Sequence, residues 1–184
     1  MQQNNLDNFI NKYVESVNDL LQYMQKEIKY GFVDKDFKKY TDFDGLSFYK
    51  KYYLQSPEQL FKHKIGVCWD QVEFIRYVFD KKNIPNDVCF IIKDDLVGTT
   101  HTFVIYQIDN KLYYFENAFE KYRGIYGPFE NIDNIIEKVS NQMDEYDGTK
   151  YSYRFTFLDA MKQGLTCEAY IARAKKGRDK TILK

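Results

Sequence analysis

The sequence predicts an α+β fold in which helices pack on an antiparallel sheet. Three observations carry that expectation: apolar residues at helical spacing over 5–29 and 68–82, a change to a period of two after Ile84-Pro85, and a two-residue Asp-Asn turn joining two alternating runs.

Leu6, Phe9, Ile10, Tyr13, Val14, Val17, Leu20, Leu21, Met24 and Ile28 fall at helical intervals, so residues 5–29 read as one long amphipathic helix with a single buried stripe. From Gly31 to Tyr53 the pattern is mixed, aromatic-rich and turn-like, and assigns no element. "SPEQLFKH" starts a helix, with Ser56 as N-cap, Pro57 at the first position and Gln59 three after the serine. Gly66 interrupts the chain, and 68–82 form a second long helix ending before Ile84-Pro85. "DVCFIIK" (87–93) and "HTFVIYQI" (101–108) alternate as strands, and "KLYYFEN" (111–117) follows across the turn Asp109-Asn110. Residues 131–142 read as a short helix and "KYSYRFTFL" (150–158) as a strand. "TCEAYIARAKKG" closes as a helix between the N-cap Thr166 and Gly177. No repeat or linker divides the chain. It reads as one domain over 1–184 with a core at about 56–119, to which the first helix and the last strand and helix are extensions.

Composition excludes several classes. Hydrophobic residues make up 44% and aromatics 18%, with 17 Tyr and 15 Phe, which is ample core material. The 27 basic and 27 acidic residues cancel, which removes the charge argument for nucleic acid or an anionic membrane. No apolar run approaches the roughly 20 residues of a membrane helix, and "MQQNNLDNFINKY" lacks the basic and apolar blocks of a secretory signal. Cysteines at 68, 89 and 167 are too few, and odd in number, for a disulfide framework, so a reducing cytoplasm is the expected compartment. No Gly-rich loop with Lys-Ser/Thr supports a nucleotide, and no ligand spacing supports a metal, so no cofactor is expected. The acidic turn "DEYDG" (144–148) lacks the alternation and distal glutamate of a calcium loop and reads as a solvated turn. The basic "RAKKGRDK" reads as a solvated end.

One stretch, "KHKIGVCWDQVEF", places Cys68 at a helix start. A nucleophilic cysteine needs its pKa brought down from about 8.5 by a helix N-terminus or an imidazolium, and Cys68 has the first by position. Residues 68, 72, 75 and 79 share a helical face that is otherwise apolar, so that face packs on the sheet and directs the sulfur inward, towards the strands, at one end of the helix. The base comes from two histidines. With Asp109 and Asn110 as the turn, 107 opposes 112, 105 opposes 114 and 103 opposes 116. His101 then shares a face with Glu116, at a diagonal of roughly 7–8 Å. Asn117 falls on the other face with Thr102, so register selects Glu116 as the residue that orients His101, and Asn117 replaces it only if a bulge shifts the strand. His63 is the alternative base but lies beyond Gly66 in a lysine-flanked stretch. Cys89 sits among apolar strand residues as core, and Cys167 follows an N-cap with no histidine after it.

The order "GVCWD", then "HTFV" opening a strand, then an acid ending "LYYFEN" resembles the transglutaminase-like superfamily, over about Ser56 to Phe119. The resemblance implies a transglutaminase-like, cysteine-proteinase core with Cys68 as nucleophile, His101 as general base and acid, and Glu116 as orienter. The usual third residue there is aspartate, so Glu116 is a departure by one methylene. Trp69 beside the cysteine is also similar to papain-like thiol enzymes, although packing is its simpler role. The chemistry expected is acyl transfer on a peptide or protein amide through a thioester, with hydrolysis of the protease or amidase kind favoured. The alternatives are a transglutaminase or amine acyltransferase, and a non-catalytic peptide-binding module. The Cys68 backbone N–H is the first oxyanion donor, and Gln55 and Tyr53 are candidates for the second.

Overall fold

The computed structural model describes residues 5–42, 44–93 and 99–183. The first apolar stripe is carried by two helices, not one: α1 (Asn5–Tyr13) and α2 (Val17–Glu27). Ser16 between them is extended, and it forms a capping box with Asp19. Its hydroxyl accepts from Asp19 N–H at 3.2 Å, and the Asp19 carboxylate accepts from Ser16 N–H at 2.7 Å. Apolar periodicity runs through the break because both helices bury the same side, through Leu6 and Ile10 and then Leu20, Leu21 and Met24.

The unassigned stretch holds a two-residue ribbon, β1 (Phe32–Val33) with β2 (Lys39–Tyr40), and a short helix α3 (Gly45–Lys51) capped by Asp44. Gly31 is obligatory there, since at φ +155° a Cβ would meet Tyr40 O at 2.5 Å. Next comes α4 (Pro57–His63), whose Ser56 hydroxyl and Gln59 amide cap each other's backbone. Then α5 (Cys68–Lys81) runs over the sheet.

The sheet is antiparallel, in the order β6-β5-β4-β3-β7, from β3 (Asn86–Lys93), β4 (Thr100–Ile108), β5 (Lys111–Glu116), β6 (Gly124–Phe129) and β7 (Tyr153–Leu158). Asp109 and Asn110 both have positive φ, as a type I′ turn requires, and the pairs Gln107↔Leu112 and Ile105↔Tyr114 follow from it. β6 was not legible as a strand; its "GIYGPF" carries turn residues that an edge strand tolerates. The helix expected over 131–142 continues as α6 (Ile132–Asp147), absorbing most of the acidic turn, and Gly148 ends it in the left-handed region. The chain closes through α7 (Cys167–Ala174), capped by Thr166.

Alternation along the strands makes two cores. Val88, Phe90, Val104, Tyr106 and Phe115 face α5, α1 and α2. Cys89, Ile91, Phe103, Ile105 and Tyr114 face Ile135, Val139 and Met143 of α6. Helices therefore cover both faces of one sheet, an α+β arrangement. No helix among the described residues is long and apolar enough to cross a membrane.

Candidate active site

Cys68 is the first residue of α5, with Val67 as its extended N-cap. The turn that presents it is braced from four sides. Asp70 accepts from Val67 N–H at 3.0 Å and from Gln55 N–H at 2.9 Å. Gln71 Nε2 donates to Gly66 O at 2.9 Å, and Gln55 Nε2 donates to Ile65 O at 2.8 Å. Gly66 N–H donates to Lys29 O, while Lys29 N–H donates to Lys64 O. Gly66 serves close approach rather than a turn of unusual φ: a Cβ would meet Leu60 at 2.6 Å and Asp70 Cβ at 2.8 Å. The first-turn N–H groups of Cys68 and Trp69 have no intrahelical acceptor and point out of the helix end, where the dipole favours negative charge.

His101 lies near the start of β4 and Glu116 at the end of β5, on the face turned towards α6. Both are buried. His101 Nε2–H donates to Glu116 Oε2 at 2.6 Å. The carboxylate also accepts from Tyr114 Oη–H at 2.7 Å and from Phe119 N–H at 2.8 Å. The Cys68 thiol also acts on the protonation of this imidazole, for which Nδ1 is the nitrogen left. Ring and carboxylate lie at the end of the sheet, where β4 begins and β5 finishes. Cys68 is buried in the core that Val72, Ile75 and Phe79 of α5 share with the strands, and on that face Asn117 Nδ2 donates to Gln71 Oε1 at 2.8 Å.

The electrostatics are those of an ion pair. Burial works against a charged imidazole, but the Glu116 carboxylate and the Cys68 thiol outweigh it and raise the pKa of His101 to about 10. Burial alone would push Glu116 up; His101 and the hydrogen bonds from Phe119 and Tyr114 hold it below its ordinary value. In the same first turn as Cys68, burial raises Asp70 to about 7 despite the amides of Gln55 and Val67.

The remaining sequence-level candidates have other partners. His63 Nδ1 pairs with Gln55 Oε1 at 2.9 Å and its ring lies against Phe37. Gln55 thus spends its amide on Ile65 and His63. Tyr53 packs edge-on to Phe37 and beside Gly164. The Trp69 indole is 2% exposed, stacked on Tyr170 at 4.3 Å and edge-on to Tyr52. Cys89 is core, and burial pushes its thiol well up; Cys167 is pushed to about 11 by burial and Glu168.

One residue at this site escapes the sequence reading. Tyr30 is 41% exposed and lines a cavity together with His101. Burial, followed by the charges of Cys68, Glu116, Asp70 and Tyr146, lifts the phenol well above its ordinary value. Its place is set by the bridge between Lys29 and Ile65, a long-range pairing with no local signal.

Residues 5–123 match a family described as a transglutaminase-like domain. A comparison with curated proteins finds no match.

Proposed function

The chain belongs to the transglutaminase-like domain family, and from that premise we propose that it performs cysteine-dependent acyl transfer on a peptide or protein amide, ending in hydrolysis. The observation that supports this reading is the His101–Glu116 bond at 2.6 Å, on an imidazole whose protonation Cys68, first residue of α5, also influences. With its proton carried by the His101 imidazolium, the Cys68 sulfur adds to the amide carbonyl carbon. The oxyanion develops against the Cys68 backbone N–H, a contact of about 3 kcal/mol in comparable sites. Collapse breaks the C–N bond, and the amine leaves with the proton that His101 carried. Water then adds to the thioester, giving its proton to His101, and the carboxylic acid departs as the thiol is restored.

Glu116 keeps one imidazole tautomer and supports the imidazolium throughout. Tyr30, which lines the same cavity as His101 and whose phenol feels the charges of Cys68 and Glu116, is the second oxyanion donor in this reading, since the amide nitrogen of Gln55 already serves Ile65. Water needs no further binding site, which favours hydrolysis over transfer to an amine.

The test is to treat the protein with an activated ester at about pH 6, where ordinary thiols are protonated, and to locate the acyl group by peptide mass spectrometry. The acyl group should appear on Cys68 and turn over to the acid. Tyr30→Phe should slow its formation by about tenfold or more. Labelling no faster at Cys68 than at Cys89 or Cys167, in a folded protein, would leave a peptide-binding module as the better reading.

A further inference from the structure

Beside His101 lies a cavity of about 600 Å³, within the range of small-molecule sites. His101, Tyr30, Phe119, Met143 and Tyr146 form its walls, and Cys68 does not line it. The walls are aromatic and soft. Phe119 meets the Tyr146 ring edge-on at 4.9 Å and the His101 ring at 5.6 Å. Three charged residues also border the cavity, and each has an opposite partner: Glu120 with Arg123 at 3.5 Å, Lys121 with Glu145 at 2.7 Å, and Asp147 with Lys93. An ionic ligand group would find no unmatched charge among them. An aromatic ring would find ring edges, a thioether and an imidazole.

The side on which the cavity lies decides what it takes. The acyl group is bonded to sulfur, whereas the leaving amine and the attacking acceptor must both approach the imidazole that exchanges protons with them. A space lined by His101 and not by Cys68 is therefore on the amine side of the scissile bond. Resting on the acyl-transfer reading above, we propose that this cavity binds the residue on the amine side of the amide, and that the substrates carry a large apolar, aromatic side chain there. By microscopic reversibility the same cavity receives an aromatic amine that attacks the thioester, N–C bond formation releasing the Cys68 thiol as His101 returns its proton to sulfur.

The experiment uses the full chain acylated on Cys68 by p-nitrophenyl acetate. Deacylation is followed with phenethylamine and with ethanolamine at equal free-base concentration. Phenethylamine should react faster by about tenfold or more, the discrimination expected when a ring fills an apolar pocket. Tyr146, 63% exposed, can be shortened without opening the core, and Tyr146→Ala should bring the ratio of the two rates to within about threefold. Equal rates with both amines, or an undiminished ratio in Tyr146→Ala, would overturn this inference while the acyl-enzyme itself still stands. Failure to form any acyl-enzyme would overturn the acyl-transfer reading and this inference together.

Discussion

Glu116 determines which proton His101 keeps. A carboxylate held by three donors accepts from Nε2–H, so the imidazole presents Nδ1 to the thiol. Glu116→Gln keeps the shape and removes the charge. It should lower kcat by about a hundredfold or more, because the imidazolium loses its counter-ion and the tautomer its preference. Asn117→Ala should cost about 1 kcal/mol of stability through its lost bond to Gln71 and change kcat little. The reverse ranking in a kinetic comparison would make Asn117 the orienting residue. The same pair carries a pH signature. His101 has a folded pKa raised from 6.5 to about 10, so its stabilisation is complete below 6.5 and is lost as pH rises through about 10. Glu116 is lowered from 4.5, so its share is present above 4.5 and is lost as pH falls through the folded value. Urea midpoints of the wild type and Glu116→Gln should therefore differ most between 4.5 and 6.5 and converge towards alkaline pH. A gap that widens above pH 10 would contradict the ion pair.

At the scale of elements, Cys68 is only as well placed as the first turn of α5, and Asp70 holds that turn. Its two oxygens satisfy the buried N–H groups of Val67 and Gln55, tying the helix start to the segment before α4. Asp70→Ala leaves both amides without an acceptor, at about 2–4 kcal/mol, while Asp70→Asn restores one of them. Denaturation midpoints should rank wild type above Asn above Ala, and the rate of Cys68 alkylation should fall in the same order. An alanine variant as stable as the wild type would show that the amides are satisfied elsewhere. Elements of this kind were legible because their signals are local. Ser56-Pro57-Gln59 marks α4, Thr166 marks α7, and the Asp109-Asn110 turn dictates the hairpin register. The break between α1 and α2 also has a local signal, Ser16 with Asp19, but the buried stripe runs across it and masks it. Nothing local announces β1, β2 or the position of Tyr30, which depend on pairings between segments far apart in the chain.

For the whole molecule, the question is whether the residues that match the family, 5–123, are sufficient to hold this site. They supply Cys68, His101 and Glu116, but not what keeps those side chains dry. β3 is hydrogen-bonded on one side to β7, from Val88↔Leu158 to Lys93↔Tyr153, and β5 pairs with β6. Both partners lie beyond 123. So does α6, whose Ile135, Val139 and Met143 cover Cys89, Ile91, Phe103, Ile105 and Tyr114. Tyr170 of α7, fully buried, stacks on the Trp69 that follows the nucleophile. Uncovering those five strand residues alone costs about 10 kcal/mol at roughly 2 kcal/mol each, as much as the whole stability of a typical domain, about 5–15 kcal/mol. It also bares two strand edges that invite pairing between chains. A chain ending after Arg123 should therefore aggregate, or show neither a cooperative urea transition nor near-ultraviolet dichroism, and its three cysteines should alkylate at similar rates. A cooperative transition with Cys68 still selectively reactive would mean that the matched segment is self-sufficient. The C-terminal strands and helices would then be a late addition around a finished site.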